Sequence, residues 1–175
     1  MRQWGGNQVQ ILNFEDRAKL IPVGKTKKNM LEKSKFMIDI VPIYDEESSS
    51  NLINNIYLST PIGYYWLFNG KKYSIINEDR VIILLFDDKL AVIESPFKKS
   101  NNKAYLINLD NEILFDISDV FYLEYRTMLL NKTYIFTDIL TIDNKLFFYV
   151  NINNTDFRFL LDIRNKKIGK LIESK

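Results

Sequence analysis

Carboxylates are the side chains of this chain best suited to acid–base chemistry, because imidazoles and thiols are missing. None of the 175 residues is histidine or cysteine. That excludes imidazole general bases, His-ligated metals, thiol nucleophiles and disulfides. With six glycines there is no Walker-type phosphate loop and no G-x-G-x-x-G fingerprint. Acid–base work would fall to Asp39, Glu94, Asp116, Asp138 and Asp162, all in predicted strands. A glycosidase or lyase needs two carboxylates about 5–9.5 Å apart across a cleft. Solvent-facing positions on half-exposed strands account for the same five residues without any reaction, and this is the reading we adopt. Asp87-Asp88 and Asp45-Glu46-Glu47 are dense enough to attract a cation but lack the spaced ligands of a calcium loop. Turns favour Asp for local reasons. The expectation is a non-enzymatic protein with no metal and no cofactor.

Recognition has better candidates. Tyr64-Tyr65-Trp66-Leu67-Phe68 places five aromatic or apolar residues in a row. One face must be core. The other carries either Tyr64, Trp66 and Phe68 or Tyr65 and Leu67. An uncovered second face would be a contact patch, since Tyr and Trp dominate interface hot spots. Burial of both faces in a layered sheet is equally compatible with the run. The acidic, serine-rich stretch Asp45-Glu46-Glu47-Ser48-Ser49-Ser50 can steer a basic partner, or serve only as a solvated connector. Basic residues gather at Lys25–Lys35, at Lys98, Lys99 and Lys103, and at Arg164, Lys166, Lys167 and Lys170. Together with Tyr64, Tyr65 or Trp66 they could stack and neutralise single-stranded nucleic acid. A net charge of +2, from 24 basic and 22 acidic side chains, argues against that use and against an anionic membrane surface.

The elements that must position these residues read as a ladder of hairpins. Asn69-Gly70 between Tyr64–Phe68 and Lys71–Ile76 suits a two-residue type I′ turn. Asp87-Asp88-Lys89, Asp110-Asn111, Asp143-Asn144-Lys145, Asn153-Asn154-Thr155 and Arg164-Asn165 separate the later strands. Phe157, Phe159, Leu161 and Ile163 alternate with polar residues, as one wet face requires. Val81–Phe86 is apolar throughout, as a strand covered on both faces requires. Phe36–Ile43 reads as an edge strand limited by Pro42. Short helices fit Asn51–Leu58 and residues 118–132, the latter begun by Ser118 or Asp119 as N-cap. The similar Leu109-Asp110-Asn111, Ile142-Asp143-Asn144 and Ile163-Arg164-Asn165 segments are spaced too irregularly for true repeats and reflect common hairpin chemistry.

Composition agrees. Aromatics reach 14%, and only Ala18, Ala91 and Ala104 are alanine, which disfavours a helical bundle. The length suits one domain burying about 70% of its unfolded surface. We therefore expect residues 1–175 to form a single mainly β domain, with 1–35 a less ordered N-terminal segment. Its strands should form one antiparallel meander, curved into a sheet, sandwich or open barrel, with one to three short helices. A compact propeller is the second architecture. No signal core or membrane-length apolar run is present, so a cytoplasmic location is expected.

In its low glycine content, its Asn/Ile/Lys richness, the Leu109-Asp110-Asn111-Glu112 hairpin and the Asp45-Glu46-Glu47 loop, the chain resembles bacterial toxin-neutralising immunity proteins. The resemblance implies a cognate protein toxin domain as partner. It implies Asp45, Glu46, Glu47, Tyr64, Tyr65 and Trp66 as contacts. A small-ligand-binding β-barrel carrier, with a void among Tyr73, Phe86, Phe115 and Phe148, is the second functional reading, and a carboxylate-dependent glycosidase or lyase the third.

Overall fold

Two-residue turns in the left-handed region set the register of the chain. Asn69 and Gly70, Asp143 and Asn144, and Asn153 and Asn154 all have positive φ, as type I′ hairpin turns demand. The computed structural model describes residues 38–45 and 59–174, within one compact unit. The expected features of 1–37 and the expected helix at 51–58 lie outside the described residues.

The chain is mainly β, and its ladder of hairpins divides into three antiparallel meanders. The first sheet contains β1 (Ile40–Ile43), β2 (Gly63–Phe68) and β3 (Lys71–Ile76). The second contains β4 (Val81–Phe86), β5 (Lys89–Glu94), β6 (Lys103–Asn108) and β7 (Ile113–Asp116). A helix, α1 (Ile117–Tyr125), follows directly. The third sheet contains β8 (Tyr134–Ile142), β9 (Lys145–Ile152) and β10 (Thr155–Asp162), with β11 (Lys167–Ile168) and β12 (Ile172–Glu173) sharing the outer side of β10. The sequence suggests one last strand over Lys167–Ile172. It is split because its register against β10 shifts by one residue between the Leu161–Ile168 and Arg158–Ile172 pairs. No closed barrel forms among the described residues.

The second sheet is the middle layer. Along β5, Leu90 and Val92 enter one hydrophobic cluster while Ala91 and Ile93 enter the other. β4 repeats the division, with Val81, Ile83 and Leu85 on one side and Ile82, Leu84 and Phe86 on the other. Side chains alternate across a strand, so the first sheet covers one face. The third sheet and α1 cover the opposite face. Ala91 and Ala104 mark where covering elements come close: the Ser118 hydroxyl of α1 accepts from the Ala104 amide at 2.7 Å.

Phe121 of α1 is fully buried and packs its ring against Tyr125, Tyr134, Phe136 and Phe159, at centroid separations of 5.1–5.3 Å. The N-cap of α1 is Asp116, whose carboxylate accepts from the Asp119 amide, and neither Ser118 nor Asp119 serves. Ser118 is committed to β6 instead.

The edges of β8 and β4 are covered by hydrogen bonds from outside their own ladder. On β8, the Asn102 side chain takes both the amide and the carbonyl of Phe136, at 2.7 and 3.0 Å. The Asp138 carboxylate accepts from Ile139 on the same strand. On β4, the Val81 amide donates to Pro61 and the Tyr64 hydroxyl bonds the Ile83 backbone. β1 is short and contains Pro42, which has no amide to offer.

The hub position of Phe121 has a measurable consequence. Phe121→Ala should lose about 3–5 kcal/mol of stability in urea unfolding, while Leu123→Ala, on the exposed side of the same helix, should stay within about 0.5 kcal/mol.

Candidate functional site

The aromatic run Tyr64–Phe68 is β2, the central strand of the first sheet. Alternation decides what each residue does. Tyr64, Trp66 and Phe68 face the middle layer and join its cluster. Tyr65 and Leu67 face outward, Leu67 with 65% of its surface exposed. The cross-strand partners of Tyr65 are Val41 and Ser74, and Leu67 lies opposite Lys72. Lys72 Nζ sits 4.2 Å from the Tyr65 ring centroid, a cation–π contact that partly spends its charge on its own sheet. Ile76, 61% exposed, continues the outward face along β3. The result is a half-open surface of Tyr65, Leu67, Val41 and Ile76.

Trp66 does not belong to that surface. Its side chain is wholly buried, its indole Nε1 donates to the Leu109 carbonyl at 2.8 Å, and it stacks on Tyr73 at 5.9 Å. Trp66, one of the expected contacts, lies on the packed face, because an indole needs both an apolar bed and an acceptor when buried, and the β6–β7 turn supplies the acceptor. Tyr64 is half-buried; burial raises its hydroxyl above the ordinary range, with Tyr44 adding to the effect and the Ile83 hydrogen bond opposing it. Leu67 is an outward residue that sequence reasoning did not single out as a contact. Alternation puts it on the Tyr65 face, and the packing of Trp66 against the middle layer decides that this face is the outward one.

Asp45, one of the expected contacts, follows β1. Its carboxylate pairs with Arg80 at 2.9 Å, and Arg80 is 2% exposed with a left-handed backbone. A carboxylate held by a buried guanidinium anchors its segment. Glu46 and Glu47 lie outside the described residues.

Arg80 belongs to a polar end of the middle layer. Asn77 donates to Glu94 at 2.8 Å, the Tyr105 hydroxyl donates to the other Glu94 oxygen, and Ser95 reaches Asn77. Lys98 binds both oxygens of Asp79 at 3.0 Å and holds that carboxylate below its usual range. Burial first, and Glu94 second, push the Tyr105 hydroxyl far above the ordinary tyrosine range.

The five strand carboxylates have different partners. Glu94 is engaged by Asn77 and Tyr105, Asp116 caps α1, and Asp138 holds the Ile139 amide. Asp162 accepts from the backbone and side chain of Asn165, which lower its proton affinity and close the β10–β11 turn. Asp39 is an exposed residue before β1. Each lies in a different structural setting. The residues expected to line a ligand void are likewise divided: Tyr73 packs in one cluster, while Phe86, Phe115 and Phe148 pack in the other. Among the described residues no group of three or more acidic side chains is placed to hold a metal ion.

No protein-family model matches the chain, and no curated protein matches it. Among solved structures, a chain from the structure of Tne2 in complex with Tni2 is similar in fold. The TM-score is 0.56 over 79% of this chain and 100% of that chain, at 14% sequence identity. The similarity is one of fold.

The Glu94–Tyr105 pair yields a pH expectation. A hydroxyl whose proton is held more tightly in the folded state stabilises fully below the unfolded value of about 10 and less as pH rises beyond it. Urea unfolding of the wild type should therefore weaken above about pH 10. Tyr105→Phe should show a shallower decline over the same range; an identical slope would mean that other tyrosines carry the effect.

Proposed function

We propose that this chain is a non-enzymatic, immunity-type binding protein that neutralises a cognate toxin domain by direct contact. The observation carrying the reading is the outward face of the first sheet. Tyr65, Leu67 and Ile76 are partly or largely exposed on strands whose opposite faces are packed into the core. Tyrosine and aliphatic side chains on a rigid sheet offer contact area at low entropic cost. The fold similarity to a chain taken from a two-protein complex supports the same direction. The sequence supplies no imidazole or thiol to argue for catalysis instead.

In this reading Tyr65 and Leu67 make the contacts assigned from sequence to the aromatic run. Trp66 holds the strand in place. Asp45 is held by Arg80, and inhibition follows from covering the active site or substrate path of the toxin.

The test is binding to the toxin domain encoded beside this chain in its native genome. Wild type should form a stoichiometric complex by calorimetry and abolish toxicity on co-expression. Tyr65→Ala combined with Leu67→Glu should weaken binding by roughly 100-fold or more with an unchanged melting temperature. A wild-type chain that neither binds nor protects would refute the reading.

A further inference from the structure

Resting on that reading, we propose that the outer edge of β3 accepts an extended segment of the partner protein as a fourth strand of the first sheet. The register identifies the groups involved. Phe68 and Lys71 close the two-residue turn, and the Asn77 amide donates to Ile62 on the β2 side. Residues 71, 73, 75 and 77 therefore address β2, and the amides and carbonyls of Lys72, Ser74 and Ile76 point away from it. Among the described residues nothing pairs with these outward groups. They form a row spaced about 7 Å apart, the repeat an incoming strand requires.

The β8 and β4 edges of this molecule are treated differently. Asn102 and Asp138 occupy outward groups of β8, Tyr64 and Pro61 occupy those of β4, and β11 with β12 cover β10. Lysine on an edge strand ordinarily deters pairing. Here Lys72 folds back over Tyr65, leaving Ser74 and Ile76 without a charged guard.

Charge selects the occupant. The hairpin Gly63–Ile76 carries Lys71 and Lys72 and no carboxylate. Antiparallel pairing of two copies centred on Ser74 would set each Lys72 opposite Ile76 of the other copy, leaving the lysines without a carboxylate from either hairpin. A partner segment with an acidic residue near Lys71 and Lys72 and an apolar residue beside Ile76 meets both demands. Strand addition of this kind takes affinity from main-chain bonds and selectivity from alternate side chains.

Ser74→Pro removes one outward amide without removing a bond to β2, a substitution that edge strands tolerate. With the adjacent toxin domain as probe, the variant should bind roughly tenfold or more weakly at an unchanged melting temperature. In the wild-type complex the amides of Lys72, Ser74 and Ile76 should gain hydrogen-exchange protection, a readout independent of the variant's folding. Binding by wild type with no protection at these amides would overturn the edge proposal and leave the binding reading standing. Failure of wild type to bind at all would overturn both. A Ser74-dependent dimer in sedimentation without the toxin domain would replace the partner segment with a second copy and overturn the stated occupant.

Discussion

The structure depends on a sheet that is dry on both sides. β5 reads Leu90-Ala91-Val92-Ile93, all wholly buried, and successive residues enter opposite clusters. Such a strand has no solvent face, so other apolar layers must cover both of its sides. The first sheet covers one side through Trp66, Tyr73 and Ile75; the third sheet and α1 cover the other through Phe136, Ile139, Phe148 and Phe121. Among the described residues each outer layer then has one packed face and one partly open face. The split of the hairpin ladder into three meanders follows, because one continuous flat sheet would leave β4 and β5 uncovered. Breaks occur where pairing lapses, between β3 and β4 and across α1.

Turn chemistry and end-capping hold the layers in register. A slip of one residue would exchange the two faces of a strand. In β2 it would put Trp66 in solvent and Tyr65 and Leu67 in the core. Asn69-Gly70, Asp143-Asn144 and Asn153-Asn154 oppose such slips by closing hairpins with both turn residues at positive φ. Polar side chains tie the far end together. Asn102 joins the β5–β6 connection to β8, and Asn77 joins the β3–β4 connection to Glu94. These half-buried groups are hydrogen-bonded, which a low-dielectric setting requires.

Features governed by neighbours in sequence were legible from sequence. The type I′ turn at Asn69-Gly70, the two-sided burial of Val81–Phe86, the alternation of Phe157–Ile163 and the mainly β class needed only local chemistry and periodicity. Features decided by distant partners were not. The burial of Trp66 depends on the Leu109 carbonyl, 43 residues away, and no local pattern separates Trp66 from Tyr65 as the buried partner. The role of Asp45 depends on Arg80, whose left-handed backbone has no sequence signature. The strand carboxylates resembled catalytic candidates because periodicity records only that they leave the apolar face. Asp116 and Asp162 in fact satisfy amides at a helix start and a turn.

The same constraint explains how a plain sheet face can serve as a binding surface. Every second residue of β2 is fixed in the middle cluster, and Trp66 is further fixed by its hydrogen bond. The intervening residues Tyr65 and Leu67 are thereby held on a backbone that cannot shift without unpacking the interior. Lys72 restrains the Tyr65 ring from above. A partner meeting this face loses less conformational entropy than it would on a loop, because folding has already ordered the backbone and part of the side-chain freedom. On the proposed reading, small size and near-neutral charge matter little, because contact strength would come from a preformed apolar patch. Selectivity would come from what surrounds the patch, namely the lysines at one end of β3 and the peptide groups along it that are unpaired among the described residues.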